Sequence, residues 1–248
     1  MIPDSLTRDH DLSPEPANGD VSRTPPSAPT DPAVRETSPI GTPLWYRVAE
    51  MSGEVELAPP GAGVPFWQRW AGKYVLLPSY CRRLTWDGAA DLLVREGRTL
   101  IGRSARLDAP RLERRVLVPP QIGLEDSSRH WSYAMVLEHL TIIGRATQNV
   151  IVRLARGEAP EGAVRTADLK PAGTQGVAAS IAGYAAFVDG FLPLTARPGD
   201  PLPRGKFPHP WFGPLDAFEW ICFLPMHQRI HIRQADRILG SPSHGGPD

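Results

Sequence analysis

The chain has 248 residues, long enough for one sizeable core or two small domains. Hydrophobic residues make up 41% and charged residues 22%, the mix of a soluble globular protein. Lysine plus arginine and aspartate plus glutamate both total 27, so the formal net charge is +0 and no global field draws in nucleic acid or an anionic membrane. The two cysteines, Cys81 and Cys222, are too few for a disulfide framework.

In chain order, residues 1–43 read as a disordered tail. Pro3, Pro14, Pro16, Pro25, Pro26, Pro29, Pro32, Pro39 and Pro43 punctuate a stretch rich in Ser, Thr and Asp, with few large apolar residues to offset the entropy of ordering. The first residues show no basic stretch followed by an apolar core, so no signal peptide is read there and the cytoplasm is the expected location. Residues 44–81 carry Trp45, Tyr46, Phe66, Trp67, Trp70 and Tyr74, too many aromatics for a free linker. They predict an irregular extension packed on the main domain, with a short helix over 65–71 and a strand over 73–77. Residues 241–248, with Pro242, Gly245, Gly246 and Pro247, read as a second disordered end.

Residues 82–240 read as helices. Trp86, Ala89, Ala90, Leu93, Gly97, Leu100, Ile101 and Ser104 follow the spacing of one helix face, with Thr85 as N-cap. A second helix, capped by Ser127 or Ser128, shows the stripe Val136, His139, Leu140, Ile143, Thr147, Val150, Ile151 and Leu154 and ends near Gly157. The third, over 176–194, is built from Ala and Gly and interrupted by Asp189 and Pro193, which favours a buried helix of a soluble protein over a membrane span. Its glycines at 176, 183 and 190 predict a smooth seam for a close neighbour. The fourth starts with Pro214 at its first position and keeps its apolar period to Leu239. Four striped helices without strand alternation after residue 80 predict an all-α four-helix bundle, whose long links permit a non-sequential order.

His227 and His231 stand one turn apart on the fourth helix, and His139 lies on the apolar stripe of the second. Arg229, Arg233 and Arg237 take another face of the fourth helix, so three imidazoles aim inward from two helices. Burying unpaired imidazoles is costly, and a divalent metal resolves that cost by binding the neutral form. Three His ligands leave an open position for water, as in catalytic zinc sites. The competing reading of each histidine is a hydrogen-bonded core residue.

Other groups are weaker candidates. Glu138 points about 100° away from His139 around the helix, toward solvent or a supporting role. Glu219 shares the stripe of His227 and His231 and is the one weak candidate for a catalytic acid–base group, against a carboxylate placed at a helix N-terminus. His209, between prolines, reads as a loop-fixing residue, His130 as a surface or capping residue in the first turn of the second helix, and Cys222 as a small buried hydrophobe. Pro225 inside the fourth helix frees the carbonyl of Ile221 and predicts a kink. No Gly-rich phosphate loop and no G-x-S-x-G motif occurs.

The pieces Glu138-His139-Leu140, His209-Pro210-Trp211-Phe212-Gly213-Pro214-Leu215, Glu219-Trp220 and His227-x-x-x-His231-x-x-Gln234 resemble the DinB superfamily in order and spacing, over residues 82–240. The resemblance implies a metal-binding four-helix bundle with His139, His227 and His231 as the metal triad. It further implies a thiol-dependent transferase or hydrolase using zinc or nickel, a small-molecule substrate with a low-molecular-weight thiol, and a homodimer. The alternative is a non-catalytic metal-binding or structural bundle with a stress-related interaction role. Neither nucleic acid nor a membrane is an expected partner.

Overall fold

The computed structural model describes residues 56–160, 162, 166–197, 199 and 201–240. The expectations for residues 1–55, including Trp45 and Tyr46, and for 241–248 lie outside the described residues. The described chain falls within one compact unit beginning at Glu56.

The first helix, α1, is α-helical over Phe66–Ala71, π-helical over Gly72–Leu76 and α-helical again over Leu77–Arg83. The helix expected over 65–71 is therefore present, but the strand expected over 73–77 is not: the chain stays helical and widens by one residue per turn. Its aromatics do not pack inward as anticipated. Gly72 and Leu77 are the buried residues of α1, whereas Phe66, Trp67, Trp70 and Tyr74 are exposed. Gly72 passes so close to Phe212 that a Cβ would lie 2.8 Å from its ring.

Four longer helices form the bundle: α2 (Trp86–Ser104), α4 (Tyr133–Ala155), α5 (Val177–Leu194) and α6 (Ala217–Leu239), with the short α3 (Ala109–Glu113) between the first two. Thr85 caps α2 as expected, its hydroxyl accepting from the Gly88 amide at 3.1 Å. The cap of α4 is Ser132, which accepts from the Met135 amide at 3.2 Å, not Ser127 or Ser128. Those two hydroxyls accept instead from the ammonium of Lys170. Residues Asp126–Ser128 make a 3₁₀ turn, and His130–Trp131 (β2) pairs antiparallel with Val116–Leu117 (β1), so His130 is an exposed strand residue and not part of the helix.

Helix α6 starts three residues later than Pro214 would place it. Lys206–His209 (β3) and Gly213–Asp216 (β4) form a hairpin that takes up Pro214, and Asp216 closes a reciprocal cap with Glu219. Pro225 sits inside α6, and the helix runs through it unbroken to a left-handed Gly240 at φ 67°.

Helices α2 and α4 each pack on both α5 and α6, so α2 lies diagonally across from α4 and α5 diagonally across from α6. The non-sequential order permitted by the long links is the one adopted. Helix α5 buries one face, with Ser180, Tyr184, Phe187, Val188 and Phe191, and exposes the other; it is long and apolar enough to cross a membrane by length and composition alone. Its glycines make no close seam. Nothing approaches a Cβ at Gly176, Gly183 or Gly190 nearer than 3.9 Å. The close approach runs the other way: Gly144 of α4 faces the ring of Phe187, and Gly97 of α2 faces Val188.

Candidate metal centre

Helix α4 brings His139, and α6 brings His227 and His231, to one point inside the bundle. One nitrogen from each lies within 4.8 Å of the others. Ring centroids are 4.5 Å apart for His139–His231, 4.7 Å for His227–His231 and 5.4 Å for His139–His227. His139 and His231 are buried and His227 is half-buried. The helical spacing places the α6 pair on one face, and the α4–α6 packing supplies the third ring.

The hydrogen bonds define which nitrogens are free. Nδ1 of His139 stands 2.8 Å from the carbonyl of Leu169, an acceptor only, so that nitrogen carries the proton and donates it. Nδ1 of His231 likewise donates to Oε1 of Gln234 at 2.8 Å. The amide is oriented in turn, because Nε2 of Gln234 donates to the carbonyl of Ser128 at 2.6 Å. Both rings are left with an unprotonated Nε2. His227 has no hydrogen-bond partner among the described residues. Its ring touches Phe223 at 5.4 Å between centroids and the other two imidazoles.

Supporting side chains surround this set. Trp131 lies nearly parallel to His231, 5.8 Å between centroids and 9° between planes, and 5.0 Å from His139. Glu138 is buried, and its two carboxylate oxygens accept from the amides of Ala172 and Gly173 at 3.0 and 3.3 Å. It therefore has neither solvent nor a ligand role, and braces the loop that carries Leu169. Lys170, from the same loop, pairs with buried Glu125 and lies over the Trp131 ring.

Burial holds all three imidazoles in the neutral form. It lowers His139 and His227 well below the ordinary histidine range, helped by the mutual repulsion of the rings, and lowers His231 to about 4 despite its bond to Gln234. This donor set fits a divalent cation: neutral rings, two of them locked in the tautomer that frees Nε2, and the third without a competing partner.

The triad lines a chamber of about 240 Å³ whose walls are largely apolar, with Ile143, Val150, Phe212 and Phe223 among them; its charged lining residues are Glu125, Lys170, Arg69, Arg229 and Arg233. His209 lines it too. Its Nδ1 accepts from the amides of Trp211 and Phe212, which fixes the β3–β4 turn as expected, and burial pushes it down to about 3. Glu219 does not line the chamber. Its carboxylate accepts from the Asp216 amide at 2.9 Å and pairs with Lys206 at 3.5 Å, the helix-end role weighed against catalysis. Cys222 is fully buried, as a small hydrophobe is.

Sequence reasoning missed Trp131, Lys170, Glu125 and the Leu169 carbonyl. Only Gln234, three residues after His231, carried a readable signal of its role; the others come from loops whose path no periodicity fixes.

The fold and this centre define a four-helix bundle with a convergent histidine triad. No family model and no curated protein matches the chain. Among solved structures it is similar to one described as TT2238, a four-helix bundle protein, with 26% identity, a TM-score of 0.39, and coverage of 62% of this chain and 99% of that one.

Proposed function

We propose that the protein is a metal-dependent transferase or hydrolase of the DinB type, in which His139, His227 and His231 hold a zinc or nickel ion. The observation that carries this reading is the tautomer lock: Leu169 and Gln234 accept hydrogen bonds from the protonated Nδ1 atoms and leave Nε2 of His139 and His231 unprotonated beside His227. Nitrogens bound to one zinc at about 2.0–2.1 Å stand roughly 3.4 Å apart, so small ring movements bring this set onto one ion. A bound divalent ion supplies a Lewis acid that lowers the pKa of a water or thiol to near neutrality.

The chain's own residues do the rest. The largely apolar chamber takes the apolar body of a small-molecule substrate, and Glu125, the one carboxylate among its lining residues, is paired with Lys170. The low-molecular-weight thiol as co-substrate rests on the motif resemblance. So do the homodimer and the cytoplasmic setting.

The test is elemental analysis of protein purified without a histidine-rich tag, followed by an assay for thiol conjugation to an electrophile and for hydrolysis of a labile ester. One metal ion per chain with turnover supports the reading. Stoichiometric metal with no turnover leaves a non-catalytic metal-binding bundle. Absence of metal affinity ends both.

A further inference from the structure

Helix α1 presents an apolar face that no other described residue covers. Phe66 is 73% exposed, Trp67 55%, Trp70 51% and Tyr74 59%, and Val75 and Leu76 are exposed beside them. Four rings at half exposure or more, with two aliphatic neighbours, leave roughly 500 Å² of apolar surface in water. Patches of that size on soluble proteins mark a contact surface.

The charge on the same helix selects the contact. Residues 66–83 contain Arg69, Lys73, Arg82 and Arg83 and no Asp or Glu. None of the four cations forms an ion pair with another described residue; Lys73 only lies over the Tyr74 ring, 5.2 Å from its centroid. The chain as a whole is neutral, but this helix is not. A two-fold contact with a second copy would set these cations against one another with no carboxylate on either helix to offset them. Trp and Tyr with an apolar body and a polar edge, rimmed by Lys and Arg, are the residues of helices that lie in a membrane interface.

We propose that α1 docks the protein on an anionic lipid surface, with Phe66, Trp67, Trp70 and Tyr74 entering the headgroup layer and Arg69, Lys73, Arg82 and Arg83 facing the phosphates. Leu76 and Ile122 are exposed and also line the chamber of the histidine triad, so the chamber's mouth opens beside this face. Docking sets that mouth at the lipid surface. The proposal stands on α1 alone and does not depend on the metal.

The experiment is flotation of the full chain with phosphatidylcholine vesicles, with and without phosphatidylglycerol, together with Trp fluorescence. The chain is expected to float with anionic vesicles and not with neutral ones, with a blue shift, and to be released by salt. The double variant Trp67→Ser/Trp70→Ser should lose flotation. Arg69→Gln/Lys73→Gln should weaken it by about tenfold or more. Both alter exposed or half-exposed side chains, and circular dichroism checks that they keep the fold. No flotation by the native chain, or flotation that both variants retain, overturns the proposal. A native dimer that the tryptophan variant converts to a monomer, without vesicle binding, assigns the face to a second copy and overturns it as well.

Discussion

Glu138 and His139, neighbours on α4, hold the same loop from two directions: His139 donates to the carbonyl of Leu169, and Glu138 accepts from the amides of Ala172 and Gly173. The helix turns them apart, and the loop wraps far enough around α4 to meet both. The carboxylate positions the loop, the loop carbonyl sets the tautomer of His139, and the tautomer frees the nitrogen that a metal needs.

Glu138→Ala should therefore weaken metal binding without touching a ligand. Loss of an outer hydrogen-bond partner of this kind costs about 10- to 100-fold in metal affinity. It also takes the acceptor from the amides of exposed Ala172 and half-buried Gly173, a cost below the roughly 1–3 kcal/mol of a fully buried unpaired amide because water reaches them. Competition against a chromophoric chelator and urea unfolding measure the two effects separately. Glu138→Gln keeps one acceptor oxygen and should fall between the variant and the native chain. Native affinity in Glu138→Ala would break the link from loop to ligand.

Gln234 plays the matching part on α6, but through its own side chain. Gln234→Leu removes the acceptor for His231 and the donor to the Ser128 carbonyl. A drop of about 10- to 100-fold in affinity is expected, and hydrogen–deuterium exchange should rise around residues 126–131, which the Ser128 contact ties to α6. His227→Ala should abolish binding outright while retaining most helicity by circular dichroism. Full metal content in that variant would remove His227 from the triad.

The buried imidazoles fix the direction of the pH dependence of the metal-free protein. His139, His227, His231 and His209 all have folded pKa values below the ordinary 6.5, so in acid the unfolded chain binds more protons than the folded one. The stability they contribute is fully present above pH 6.5. It is lost as pH falls through 6.5, toward about 4 for His231 and about 3 for His209. His231 alone accounts for about 3 kcal/mol across that window. Urea midpoints of the apo chain between pH 7 and pH 4 read this directly, and a flat profile would contradict the burial of the four rings.

How much of this was legible in the sequence depends on whether a period or a path sets the answer. The triad was legible because a 3.6-residue period places His227 above His231 and puts His139 on an apolar stripe. The caps were not. Ser127 and Ser128 look like helix starts in sequence, but their hydroxyls serve Lys170, more than forty residues away. Pro214 fits a first helical position until the β3–β4 hairpin claims it and Asp216 closes its reciprocal cap. Composition showed that 44–81 is rich in aromatics, yet which way those of α1 face is set by packing: Gly72 and Leu77 turn inward and the rings turn out. The large rings that are buried, Trp86, Tyr133 and Tyr184, come from the bundle helices themselves.

The glycines give the sharpest contrast between pattern and packing. The seven-residue repeat of Gly176, Gly183 and Gly190 suggested a seam, but a Cβ at Gly183 would meet Thr141 at 3.9 Å and Gln175 at 4.0 Å, both ordinary contacts. Gly183→Ala should then stabilise the protein by roughly the helix-propensity difference, about 0.5–1 kcal/mol. Gly144 has no place in that repeat, and a Cβ there would fall 2.3 Å from the Phe187 ring. Phe187 is buried and cannot swing clear, so Gly144→Ala should destabilise by about 1–3 kcal/mol through overpacking at the α4–α5 contact. The double variant Gly144→Ala/Phe187→Leu should recover part of that loss, since the smaller side chain makes room for the methyl group. Thermal melts of the three variants decide it. Equal effects of opposite sign at the two glycines would locate the close approach on α4; a loss at Gly183 as large as at Gly144 would move it back to the repeat on α5.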